Sequence, residues 1–351
     1  MSENINSVVK RLIDGERLTR EDFITLIKDR NEKIAKKLAR HAVKWRKKIY
    51  GKSVYIRGLI EISNICKNDC LYCGIRASNK SCDRYRLTPS EILESCKEGY
   101  SLGFRTFVLQ GGEDAYFSDE VLISLIRDVK VACPDAAITL SLGERDRESY
   151  EALRLAGADR YLLRHESACR EHYELLHPKS MSYEGRMRAL RDLRELGYQV
   201  GCGFMVGSPY QTANELAEDL FFIQSFKPDM CGIGPFIPAE NTPFASFEAG
   251  EVELTLYLLS IIRLIHPTVL LPATTALGSI TEGGRERGIL AGANVVMPNL
   301  SPASVRKKYA IYDGKLSDGS EAGEGLISLK KKMKKIGYEI VTDRGDVKSN
   351  L

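Results

Sequence analysis

From residue 54 onward, short β-branched runs alternate with longer amphipathic segments, and that alternation restricts the chain to a largely parallel α/β architecture. Strand patterns fall at 54–63, 106–110, 137–142, 160–166, 200–206, 230–236, 269–273 and 295–297. Helical patterns lie between them, at 89–102, 119–133, 149–156, 184–196, 213–226 and 251–265. The first of these opens Thr88-Pro89-Ser90-Glu91: an N-cap, a proline at the first helical position and a capping-box glutamate. Gly103, Gly157, Gly197 and Gly292 each follow a helix, where glycine accepts the left-handed ending. Eight such strands close most simply into a (β/α)8 TIM-type barrel. A doubly wound open sheet has the same local pattern and differs in whether the first and eighth strands pair.

A barrel carries its chemistry at the C-terminal ends of its strands. Polar and glycine-rich stretches stand there: Gln110-Gly111-Gly112-Glu113-Asp114, Ser141-Leu142-Gly143-Glu144, Arg164-His165-Glu166, Gly207-Ser208-Pro209, Pro235-Phe236-Ile237-Pro238 and Thr274-Thr275. Alternation puts Arg164 and Glu166 on one strand face, where they equally fit an ion pair at the rim. His165 then faces the other way, as a packing residue. Gly111-Gly112 alone reads as a turn, and Thr274 and Thr275 as caps of the next segment. Three units follow: a helical extension over 1–50, the barrel over 51–312 and a helical tail over 313–351. In the tail, Leu326, Ile327, Leu329, Met333 and Ile336 interleave with Lys330, Lys331, Lys332, Lys334 and Lys335. That is an amphipathic helix with a solvated basic face, rather than a nucleic-acid patch, for which aromatic interleaving is missing.

The sharpest chemical signal is Cys66-Lys67-Asn68-Asp69-Cys70-Leu71-Tyr72-Cys73, just after the first strand. Three thiolates at this spacing can hold three corners of a cubane iron–sulfur cluster. Without a fourth cysteine one iron stays open to a ligand. A zinc site is the alternative, with Cys82 as its fourth ligand. Of the other cysteines, Cys202 and Cys231 lie in apolar strands, Cys96 and Cys133 on helices, and Cys82 and Cys169 in loops; none carries chemistry. Nine cysteines in 351 residues with no signal-peptide pattern argue for a reducing cytoplasm. No apolar run is long enough to span a bilayer, and a net charge of +4 makes no case for nucleic acid or membrane.

The stretches RGLIEISNICKNDCLYCGIR, RYRLTPSEI, VLQGGED, TLSLGE, ADRYLLRHE, GIGPFIPAENTPFA, PATTALGS and GANVVMPNLSP closely resemble the HydE family of FeFe-hydrogenase maturases. These are radical S-adenosylmethionine (SAM) barrel enzymes related to biotin synthase and methylornithine synthase. The resemblance implies one 4Fe–4S cluster on Cys66, Cys70 and Cys73, with the amino and carboxylate groups of SAM on the open iron. It implies Tyr72 along the adenine, Gly111, Gly112 and Glu113 near the amino group, and Val206 and Gly207 flanking the adenine. Thr139, Ser141, Arg164, Glu166 and Arg186 match polar positions around the methionyl and ribose parts. Arg57, Gln110, Thr274 and Thr275 are candidates for the substrate end of the cavity.

The implied activity is reductive cleavage of SAM to a 5′-deoxyadenosyl radical, in assembly of the di-iron subcluster of the hydrogenase H-cluster. The implied substrate is small and organometallic, a cysteine-bound iron carbonyl cyanide complex. Implied partners are a reductant protein such as ferredoxin or flavodoxin and the other hydrogenase maturation proteins. Two departures stand out. No cysteine follows Cys231, so the second, C-terminal cluster of some relatives is not expected. Val305 stands where relatives have tyrosine, although Tyr309 and Tyr312 match. An amino-acid mutase resembling methylornithine synthase is the second reading. A noncatalytic iron–sulfur carrier or scaffold is the third.

Overall fold

In the computed structural model, which describes residues 4–316 and 322–348, parallel strands run around a closed circuit. They are β1 (Ser53–Ile56), β2 (Gly58–Ser63), β3 (Thr106–Gly111), β4 (Ala137–Ser141), β5 (Arg160–Leu162), β6 (Gln199–Cys202), β7 (Met205–Val206), β8 (Met230–Cys231), β9 (Gly234–Pro235), β10 (Val295–Val296) and β11 (Glu339–Val341). A six-stranded parallel sheet has the order β2-β3-β4-β5-β6-β8. Single parallel bridges then join Met230 to Leu270 and Pro272 to Val295. β10 pairs with β1, and Asn299 bridges back to Leu59 on β2. The first and eighth strand segments therefore pair. The chain is a (β/α) barrel, not an open doubly wound sheet.

Several expected strands are broken, each for a local reason. The segment 54–63 interrupts at Arg57, because β1 reaches β10 and β11 while β2 pairs with β3. The segments 200–206 and 230–236 each split where Gly203 meets Gly232. Gly203 has φ 153°, and a β-carbon there would lie 2.0 Å from the Gly232 carbonyl oxygen. At 269–273 no strand forms, only the two bridges; Pro272 has no N–H to give a ladder. β5 stops at Leu162, four residues short of the expected end, and Glu166 takes φ 62°. Arg164 and Glu166 therefore do not share a strand face.

Along β4, Ile138 and Leu140 join the hydrophobic layer under the helices, while Thr139 and Ser141 alternate to the other side. The helices fall as the amphipathic patterns indicate, among them Pro89–Ser101, Asp119–Ala132, Arg147–Ala156, Tyr183–Glu195, Ala213–Phe226 and Val252–Ile265. Thr88 and Glu91 complete their capping box. Before the barrel stand the helices Ile5–Asp14, Arg20–Lys28 and Glu32–Tyr50. The Leu18 backbone exchanges hydrogen bonds of 2.9 Å with the Gln224 side chain, docking this extension on Ala213–Phe226.

In the tail, Ala322–Lys335 buries Leu326, Leu329 and Met333 and exposes its lysines. The tail is not purely helical. β11 adds to β1, and Arg344 and Asp346 then cross the N-terminal end of the barrel, where both meet Arg160. No helix among the described residues is long and apolar enough to cross a membrane.

Candidate active site

β2 delivers the chain into a long loop at the C-terminal mouth, and the loop carries the three clustered cysteines. With no ladder to occupy its backbone groups, it depends on side chains. Arg84 donates to the carbonyls of Asn64 (2.6 Å), Ile75 (2.8 Å), Arg76 (2.6 Å) and Asn79 (3.0 Å). Asn64 donates to Asp83 O and Lys308 O, both at 2.8 Å, and accepts from Tyr85 N at 2.7 Å. Asp69 grips Arg76 and the Ser78 N–H.

Inside this frame the Glu113 N–H donates to Cys66 Sγ at 3.4 Å, and Cys70 Sγ lies 3.6 Å from Met181 Sδ. Burial pushes all three thiols up, that of Cys73 to about 12; Cys66 raises Cys70 and Cys73 further, and Cys73 raises Cys70. Ligation here is therefore coupled to proton release. Among the described residues no three His, Cys, Asp or Glu side chains converge as a single-ion site. Zinc needs that convergence, with ligands roughly 2.3 Å from the metal. Cys82 instead accepts from Asn64.

The Gly111-Gly112-Glu113 turn packs directly against the cysteine loop. A β-carbon at Gly112 would sit 2.3 Å from Ile65 O and 2.7 Å from Cys66 Cβ. The glycine therefore admits the cysteine loop itself. Glu113 pairs with Lys67 at 3.2 Å and accepts from the Glu144 N–H at 3.1 Å.

Tyr72 packs with Leu71, Leu176, Met205, Phe236 and Phe244. Its hydroxyl faces His177 Nε2 at 3.2 Å, while His177 Nδ1 lies 2.8 Å from Tyr173 O. Burial holds His177 down to about 3. The ring is thus neutral, with Nδ1–H donating to the carbonyl and Nε2 accepting from Tyr72. Tyr72 is thereby fixed beside the cysteines.

On the facing wall, Arg164 and Glu166 approach to 3.3 Å. Yet Arg164 Nε and Nη2 and Glu166 Oε2 are buried and make no hydrogen bond. Their charges are matched, but their hydrogen-bonding capacity is unspent. Arg186 is buried, donates to Glu144 at 2.6 Å and holds the Arg164 carbonyl. The charges of Glu166 and Arg186 both act on Cys70 and Tyr72, which brings these walls together. Three thiols on one loop, beside an arginine and a carboxylate with spare hydrogen-bonding groups, fit a cluster with a zwitterionic, hydroxyl-bearing ligand.

Ser141 stands at the end of β4, opposite Gln110, whose Nε2 donates to the Tyr309 hydroxyl at 3.4 Å. Val206 is fully buried, and Gly207, at φ 74°, packs where a side chain would strike Gly250. Thr274 is the N-cap of Thr275–Ile280, but its hydroxyl caps nothing and has no partner. Two expected residues are not brought to this mouth. Arg57 and Thr139 line a small cavity of about 10 Å³ with Arg160, Gln199, Asp229 and Met230, which lie at the N-terminal ends of their strands.

Residues absent from the sequence reading also reach the mouth. Glu61 is fully buried on β2, ion-paired to Lys315 and accepting from Asn299 at 2.9 Å. A lone carboxylate inside Gly58–Ser63, an otherwise apolar strand, was a legible signal. Lys315 gave none.

The Radical SAM superfamily profile matches residues 60–223. HydE, an FeFe-hydrogenase maturase subunit of Thermotoga maritima, is 46% identical over 77% of this chain and 77% of its own length. The chain belongs to the HydE family. 3-Methylornithine synthase of Methanosarcina acetivorans is more distant in sequence, 30% identical over 96% of this chain and 95% of its own. A crystal structure of methylornithine synthase superposes with TM-score 0.84 at 29% identity, covering 95% of this chain and 97% of that one. The maturase HydG shares the fold, with TM-score 0.79 at 20% identity over 96% of this chain and 76% of that one. As a HydE-family member the chain is a radical SAM enzyme, and the family implies a 4Fe–4S cluster and SAM.

Proposed function

We propose that this HydE-family chain binds a 4Fe–4S cluster through Cys66, Cys70 and Cys73, and SAM at the open iron. It acts on a cysteine-bound iron carbonyl cyanide precursor during assembly of the di-iron subcluster of the hydrogenase H-cluster. The observation that carries the reading is the meeting of three half-buried thiols with the half-satisfied Arg164 and Glu166 at one mouth of the barrel. Held by Cys66, Cys70 and Cys73, the cluster with SAM on its open iron would supply one-electron reductive cleavage of the sulfonium.

The chain's own residues bind and orient. Arg164 offers donors to the SAM carboxylate and Glu166 accepts from ribose hydroxyls. Tyr72, Val206 and Gly207 frame the adenine, Ser141 and Glu113 contribute polar edges, and Arg186 stiffens the wall behind Arg164. Gln110, Thr274 and Thr275 face the substrate, and the enclosed barrel keeps water from the reacting groups. The chain carries one cluster only and works in the cytoplasm. Its electron comes from a small carrier of ferredoxin or flavodoxin type, and its substrate and product pass between other maturation proteins.

The full-length match to methylornithine synthase supports a second reading, an amino-acid mutase. Anaerobic reconstitution with iron and sulfide, followed by SAM and dithionite, tests the shared chemistry. The expected products are 5′-deoxyadenosine and methionine, with none from Cys70→Ser. Cleavage surviving in Cys70→Ser would remove the ligand assignment. A cluster-replete protein that never cleaves SAM would point to a scaffold.

A further inference from the structure

Glu166 sits in a conformation that its own turn does not explain. Its φ is 62°, and the Ser167 N–H donates to the His165 carbonyl at 2.8 Å, a three-residue turn centred on a left-handed glutamate. Non-glycine residues keep such backbone only when their surroundings impose it. The Glu166 N–H is tied to Gly203 O at 3.0 Å, and Arg186 holds the Arg164 carbonyl. The remaining hold comes from outside the site.

His165 is fully buried, with its ring between Phe204 and Phe222. The Gly203 N–H points at His165 Nδ1 from 3.3 Å, so Nδ1 accepts and Nε2 carries the proton. Nε2 stands 3.2 Å from Asp219 Oδ1. The same oxygen accepts the Ala168 N–H at 2.7 Å. One carboxylate oxygen thus grips the chain immediately before Glu166 and two residues after it. Asp219 lies in the helix Ala213–Phe226, is wholly buried and leaves Oδ2 without a partner. An apolar side chain would fill this space without desolvating a charge. The carboxylate is therefore explained by the two donors it fixes.

We propose that Asp219, through His165 and Ala168, is a positioning residue that aims the Glu166 carboxylate at the ribose of SAM. The inference rests on the assignment of Glu166 above, and its test separates the two. With cluster-loaded, full-length protein, SAM and free methionine are bound in turn; methionine shares the iron-chelating groups but has no ribose. Asp219→Asn keeps an oxygen for both donors but removes the charge that strengthens those bonds and buries an unpartnered amide N–H, and is expected to weaken SAM about tenfold, the worth of one charge-assisted hydrogen bond. Methionine affinity and iron content should stay unchanged.

Glu166→Gln should weaken SAM in the same selective way. If Glu166→Gln leaves SAM binding intact, the ribose assignment fails and the proposal with it. If Glu166→Gln weakens SAM and Asp219→Asn does not, the positioning role alone is overturned. Equal loss of SAM and methionine in Asp219→Asn also overturns it, as general damage to the site. Should Asp219→Asn not fold, His165→Gln, which keeps an N–H near Nε2, should retain SAM affinity that His165→Leu loses. Equal SAM affinity in those two variants contradicts the proposal.

Discussion

A methyl group at Gly112 would lie 2.3 Å from Ile65 O and 2.7 Å from Cys66 Cβ, so the turn and the cysteine loop cannot both keep their places. Gly112→Ala should therefore yield folded protein with a displaced Cys66 and a sharply reduced iron content after reconstitution. Full iron loading in that variant would show that the loop tolerates the shift. The cysteine triplet was legible in the sequence because its residue type and spacing carry the chemistry, whereas Gly-Gly-Glu stood out only through the family resemblance, its glycines alone reading as a turn. The reason for Gly112 was not legible, since its neighbour is 46 positions away in sequence. Likewise, His177 came to light only when folding set it against Tyr72, and Asp219 only when folding set it against His165.

Elements were legible where the signal is local. The Thr88–Glu91 cap and the 3.6-residue stripe give Pro89–Ser101 almost to the residue. Strand interruptions were not, because they arise between neighbouring strands. Gly203 is a break only because Gly232 sits opposite, with its carbonyl 2.0 Å from where a β-carbon would be. Gly203→Ala should therefore cost about 2–5 kcal/mol, combining overpacking with an unfavourable φ. Urea unfolding measures this directly, and a loss below about 1 kcal/mol would mean that the two strands part easily. β11 was invisible for a similar reason: Glu339–Val341 is short, half-exposed and becomes a strand only against β1.

For the whole molecule, alternation made a barrel the simplest closure, but the joining bridges at Leu270, Pro272 and Asn299 had no sequence signature. Acid should loosen the closed molecule in a predictable window. Burial lowers His266 to about 4 and His177 to about 3. Their contribution is complete above the unfolded histidine value of about 6.5 and falls as pH drops towards the folded values, by at most ~1.4 kcal/mol per pH unit each. His266→Asn should flatten the loss of stability between about pH 6 and 4 relative to the parent protein. Urea midpoints across that range decide it; identical slopes would contradict the assignment.

The central claim, a HydE-family maturase acting through its cysteine triplet, is tested most directly by anaerobic maturation of an apo-hydrogenase with the other assembly proteins. Hydrogen evolution should require this protein and vanish with Cys70→Ser. Equal activity when the protein is omitted from an otherwise working assay would contradict the maturase reading and direct attention to amino-acid substrates.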